Sequence, residues 1–208
     1  MQQSLSPFGG HTQKYWDRRY SLFSRWDEGI LTDAEGLYSV KPEAFALEIA
    51  ARLPGDTVLD AFCGIGGSAI GFARAGKRVI TVDTEAARLD MARHNAALYG
   101  VEDLIEFIQG DILELYETLA FDALHIDPPW GGPDYYRKES FSWADFAPNP
   151  LGMIRPAIAA GKPVALGLPV NFSTAELDEL PIVPLLEDAW DTTRVMFRTA
   201  YFLPPVEA

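Results

Sequence analysis

The sequence predicts an α/β fold in which a mostly parallel sheet is covered by helices on both faces. Three observations carry this: short apolar runs alternate with amphipathic stretches, a glycine-rich loop follows the first run, and successive runs end in or beside an aspartate. Residues 56–62, DTVLDAF, read as a buried strand leading into CGIGG, and 68–76 as the helix leaving that loop. KRVITVD at 77–83 is a second strand. Residues 84–100 place Ala, Leu and Met at helical spacing and stop at Gly100. LIEFIQGD at 104–111 is a third strand, ILELYETLA a short helix, and FDALHID at 121–127 a fourth strand that runs into PPWGGPDYY. A helix is expected over 149–161 despite Pro156, a strand over 162–169, a helix over 173–180, and a last strand or hairpin over 192–203, with the tail from Glu187 completing the sheet. Ahead of this core, helical patterns at about 11–23 and 42–52 flank DEGILTDAEGLYSVKP. Some fifty residues are too few for an independent core, so an N-terminal helical extension, packed as a lid, is expected.

Composition narrows the function classes. With 208 residues and 48% hydrophobic content the chain can bury one sizeable core. No apolar run is long enough for a bilayer span, and the first residues show no basic-then-apolar pattern, so a cytoplasmic location with no membrane partner is expected. The single cysteine, Cys63, excludes an internal disulfide and reads as a small buried residue. His11, His94 and His125 are not at zinc-ligand spacing, so no metal is expected, and His125 reads as a hydrogen-bonded core histidine. A net charge of -13 disfavours docking along duplex DNA. One basic cluster stands against that balance: Lys14, Arg18, Arg19 and Arg25 interleave with Tyr15, Trp16, Tyr20 and Phe23. It reads either as a helix docking its aromatics on the core, the plainer account, or as a nucleotide face.

Ligands of open α/β sheets bind at the carboxyl ends of the strands. Those ends carry Asp60 with Gly64, Gly66 and Gly67, then Asp83, Asp111 and Asp127. The glycine loop lets backbone N–H groups approach a ligand. Asp83, about 20 residues beyond the first strand, suits the two ribose hydroxyls, and Asp111 an adenine amino group. Together they describe an adenosine site. GIGGSA also satisfies G-x-G-x-x-A, so an NAD-binding oxidoreductase is a rival. Charge separates the two: a pyrophosphate is repelled by Asp60 and Asp127, whereas the cationic groups of S-adenosylmethionine are attracted.

In IDPPW, residues 126–130, two prolines fix the backbone beside an acid and a large ring. Methylating an exocyclic amine needs a flat base held in place, its amino hydrogens accepted by oxygens. Asp127 and the carbonyl of Pro128 supply those oxygens and Trp130 a stacking surface, so these three are the expected catalytic residues. A tight turn whose tryptophan fills core space is the structural alternative. Methylation of another amino base or a small molecule, and base binding without turnover, are the functional ones.

KYWDRRYSLFSRWDEGILTDAEGLYSVKPE, DAFCGIGG, HNAALYG and DPPWGGPDY resemble the trimethylguanosine synthase family, the RNA cap guanine-N2 methyltransferases, over residues 14–172. The resemblance implies a Rossmann-like class I methyltransferase fold of seven strands, ordered 3-2-1-4-5-7-6, with an extension over 1–52 and a catalytic domain over 53–208. It implies S-adenosylmethionine as cofactor, held by Asp60, Phe62, Gly64, Gly66, Asp83, Thr84, Asp111 and Ile112. It implies a guanine-type nucleotide or RNA as acceptor, with Trp130 stacking, Pro128 accepting from N2, Phe23 closing the site, Lys14 meeting a phosphate and Asn171 in the acceptor set. Apart from the resemblance, a monomer is expected, and the oligomeric state is left open by the sequence. The chain departs from the family pattern at Asp127, usually serine, at Lys41, usually threonine and here able to pair with the methionine carboxylate, and at Val170, usually a phosphate-binding arginine.

Overall fold

A computed structural model describes residues 4–132 and 134–204. Pro133 of the PPWGGPDYY loop and residues 205–208 of the tail lie outside the described residues. The sheet has seven strands in the order β3-β2-β1-β4-β5-β7-β6: β1 Thr57–Asp60, β2 Arg78–Asp83, β3 Ile105–Gln109, β4 Ala123–Ile126, β5 Val164–Leu168, β6 Leu185–Trp190 and β7 Val195–Phe202. β1 with β4, β4 with β5, and β2 with β3 pair parallel, while β7 runs antiparallel to β5 and β6. This is the expected class I methyltransferase order. Every residue of β4 and β5 is buried, which is why their sequences, ALHI and VALGL, show no polar alternation.

The helices are α1 Gln13–Trp16, α2 Arg19–Leu22, α3 Ala34–Ser39, α4 Glu43–Arg52, α5 Gly67–Arg74, α6 Ala86–Leu98, α7 Ile112–Leu115 and α8 Leu151–Ala159. Pro156 is accommodated inside α8. Two expectations are corrected. The helix expected over 11–23 is broken at Asp17 and Arg18, and Arg19 Nη1 donates to the Trp16 carbonyl at 2.9 Å, a side-chain replacement for a missing helical bond. The stretch between the two N-terminal patterns contains α3, which Asp33 starts by accepting from Gly36 N–H at 2.5 Å. The helix expected over 173–180 is present as a 3-10 helix over 174–179, and β6 is the edge strand that the implied order places beside β7.

The chain groups into two compact units, one of residues up to Arg52 with Cys63–Asp111, the other of Leu53–Phe62 with residues from Ile112 onward. In the first, small residues let helices approach closely. A side chain on Gly71 would press on Ala46 of α4 at 2.4 Å, and one on Gly67 on Val40 at the same distance. Cys63 is buried with Leu89 and Ala92, as expected.

Glu43 ties the N-terminal segment to the rest of this unit. Its carboxylate accepts from Ser24 N–H at 2.9 Å and Tyr99 O–H at 2.7 Å, and pairs with Arg74 at 2.6 Å. Burial acts to raise its pKa, but the hydrogen bonds from Ser24, Tyr99 and Arg74 outweigh it and pull the group from 4.5 down to about 2. A depressed carboxylate stabilises the fold fully above its unfolded pKa and loses that contribution as pH falls through the folded one. Thermal melts of the parent and Glu43→Gln should therefore differ most above pH 4.5 and converge toward pH 2. A gap that stays constant with pH would show that the charge of Glu43 is not what holds the segment.

Candidate active site

In the first unit the loop between β1 and α5 is shaped by its backbone. Gly64 and Gly66 take φ of 52° and 91°, in the left-handed region that disfavours a side chain. Gly66 must also be small because a Cβ there would lie 3.0 Å from Ala92 of α6, whereas beside Gly64 there is open space. Cys63 N–H donates to the Val82 carbonyl at 2.8 Å, so the loop follows the end of β2. Asp83 closes the arrangement: Oδ2 accepts from Gly64 N–H at 2.8 Å and Oδ1 from Glu85 N–H at 3.0 Å. Each carboxylate oxygen keeps a second lone pair, so the ribose role expected of Asp83 fits this geometry. Thr84 and Asp111 are exposed. Open space at Gly64 beside an anchored carboxylate that can still accept fits the adenosine half of S-adenosylmethionine.

Of the other expected residues of this unit, Lys41 and Phe23 lie deeper. Lys41 is only 4% exposed, and Phe23 is 1% exposed with its ring 6.3 Å from that of Tyr99. Phe23 packs within the core of this unit. Lys14 is exposed, its Nζ 4.7 Å from the Tyr15 ring. Arg19 stacks over both Trp16 and Tyr20, at 4.8 and 4.5 Å, so the basic cluster spends part of its charge on its own aromatics.

In the second unit β4 delivers Asp127 and Pro128 directly after its last residue, Ile126. Pro128 is buried and Asp127 half-buried. Trp130 is half-buried, and Tyr135 meets it edge to face at 5.2 Å and 77°. Its Nε1 is buried and has no hydrogen-bond partner among the described residues. Asn171 braces the following loop: Nδ2 donates to the carbonyls of Lys138 at 2.9 Å and Tyr135 at 3.3 Å, while Oδ1 is buried without a partner among the described residues. Its amide therefore supports the wall that carries Tyr135. Lys138 pairs with Asp145, holding the far end of that wall. Phe62 is half-buried and Ile112 buried.

The Asp60 carboxylate is fully buried, and His125 Nδ1 donates to Oδ1 at 2.7 Å from a ring that is fully buried as well. β1 and β4 pair in the register that sets Asp60 against His125, so the strand pairing itself brings the two together. His125 is the hydrogen-bonded core histidine expected, but its partner was not foreseen: 65 residues separate them, and only the register reveals the pair.

The sequence profile of the RNA cap guanine-N2 methyltransferases matches residues 55–194. Trimethylguanosine synthase of Schizosaccharomyces pombe is 38% identical over 176 residues, covering 79% of this chain and 73% of that protein. Trimethylguanosine synthase of Saccharomyces cerevisiae is 31% identical over 182 residues, covering 81% of this chain but only 58% of its own length. Among solved structures, TrmN from Thermus thermophilus has a TM-score of 0.53 at 22% identity, covering 89% of this chain and 52% of that one. A methyltransferase from Geobacter sulfurreducens has a TM-score of 0.55 at 17% identity, covering 96% and 91%. These two likenesses concern the fold.

Proposed function

The chain belongs to the RNA cap guanine-N2 methyltransferase family, and from that premise we propose that it methylates the exocyclic N2 amine of a guanine in RNA with S-adenosylmethionine as donor. The observation that carries this reading is the Asp127–Trp130 segment, which sets a carboxylate, a proline carbonyl and a braced aromatic ring at the carboxyl end of β4. When bound, S-adenosylmethionine supplies an electrophilic methyl group on a sulfonium. The glycine loop and Asp83 bind its nucleoside part. Trp130 stacks on the guanine, and its brace on Tyr135 fixes the plane of that stack. Asp127 and the Pro128 carbonyl accept the two amine hydrogens, which turns the nitrogen lone pair outward and gives the departing proton an acceptor. The contribution is mostly positioning. Val170 is 39% exposed and uncharged where the family resemblance has a cation, so recognition of acceptor phosphates falls to other residues, with Lys14 the exposed candidate.

Thermal shift with S-adenosylhomocysteine and with NAD tests the cofactor. Stabilisation of several degrees by the former alone is expected; stabilisation by NAD alone would replace this reading with an oxidoreductase. Turnover on 7-methylguanosine nucleotides, capped RNA and free amines tests the acceptor, and methylation confined to the free amines would remove guanine from the proposal.

A further inference from the structure

We propose that Gly167 is a positioning residue for the methyl acceptor: its missing side chain is the seat of the Asp127 carboxylate. The inference rests on the reading above, in which Asp127 touches the acceptor amine. β4 and β5 pair Leu124 with Val164, His125 with Ala165 and Ile126 with Leu166, so Asp127 comes next to Gly167. Glycine weakens a strand interior, and Gly167 is also held on its other side by pairing with Thr199 of β7. Its φ lies outside the left-handed region, so the backbone does not require glycine there. Space does. A Cβ on Gly167 would lie 2.1 Å from Asp127 Oδ1 and 2.9 Å from Cγ, yet 3.6 Å from Asp127 Cβ. The collision is thus with the carboxylate alone, while the backbone and Cβ at position 127 fit beside an alanine.

The same register repeats this pattern one step back. Ala165, also small, lies beside His125, so β5 offers little bulk to the two polar side chains that β4 presents at successive positions of one face. Of the two, only the residue next to Asp127 has no side chain at all. To reach ordinary contact distance from a new methyl, the carboxylate has to move by roughly 1 Å, a displacement that can lower a rate about 100-fold when the group positions a reacting atom.

A double-mutant cycle tests the seat without relying on activity. Gly167→Ala is expected to lower the melting temperature by about 5 °C in the parent, and to leave it unchanged or raise it in an Asp127→Ala background, where no carboxylate is displaced. If Gly167→Ala alone fails to fold, recovery of folding in the double variant is the same result in stronger form; equal destabilisation in both backgrounds, or a double variant that also fails to fold, overturns the seat. For the positioning role, Gly167→Ala should lower kcat on the acceptor about 100-fold with S-adenosylhomocysteine affinity unchanged. Parent-like kcat and KM overturn that role even if the cycle holds. Absence of turnover by the unaltered chain on every acceptor overturns the reading of the site, and the positioning role with it, while the thermal cycle still decides the seat.

Discussion

Replacing Trp130 with alanine is expected to remove most methyl transfer while leaving cofactor affinity within a factor of about two. A base stacked on an aromatic ring gains about 1–3 kcal/mol, and losing it also frees the acceptor to rotate, so a fall of roughly 100-fold in kcat/KM is the expected scale. Affinity for S-adenosylhomocysteine should hold, because the glycine loop and Asp83 make their contacts to one another whatever stands at position 130. Trp130→Phe retains a smaller ring against Tyr135 and should recover part of the loss. Titration calorimetry with S-adenosylhomocysteine beside steady-state rates separates the two effects. An equal loss of both would mean that Trp130 shapes the cofactor site and that the acceptor is held elsewhere.

The second large effect concerns stability. His125→Phe keeps the ring volume inside β4 but removes the Nδ1–H that reaches Asp60 at 2.7 Å, leaving a fully buried carboxylate without that hydrogen bond. Removing one member of a buried polar pair is costly because the other stays desolvated, and the expected loss is about 2–4 kcal/mol. For a chain of this size that corresponds to a melting temperature lower by about 5–12 °C. Asp60→Asn keeps an oxygen able to accept from Nδ1, so it should lose less than His125→Phe. Chemical denaturation of the two variants checks the ranking, and a change below about 0.5 kcal/mol for His125→Phe would show that the pair contributes nothing to stability.

What the sequence made legible was the frame of this site. β1, β2 and β4 are apolar runs closed by an acid, a glycine or a proline, and such boundaries survive folding because they are local: the strands end at Asp60, Asp83 and Ile126, within two residues of the expected places. The Asp127–Trp130 turn was readable for the same reason. Cross-strand facts were not. The Asp60–His125 pair and the contact of Gly167 with Asp127 depend on the register of neighbouring strands, which no local pattern encodes. Helical periodicity continues unchanged through Asp17 and Arg18, so the break between α1 and α2 left no mark. α3 was hidden by Gly36, a poor helix former that is present because a side chain there would lie 2.6 Å from Ile65. β6 was obscured because an edge strand with Leu185, Leu186 and Trp190 exposed shows no clean alternation.

The bonds from Gly64 and Glu85 to Asp83 have a consequence for association. Glycines sacrifice more conformational entropy on ordering than any other residue. Because Asp83 fixes one of them within the fold itself, that entropy is lost when the chain folds, and the nucleoside proposed to bind there would meet a surface already in shape. Binding then needs little loop rearrangement, so differences in affinity among nucleoside ligands should reside in how long each stays bound more than in how fast it arrives.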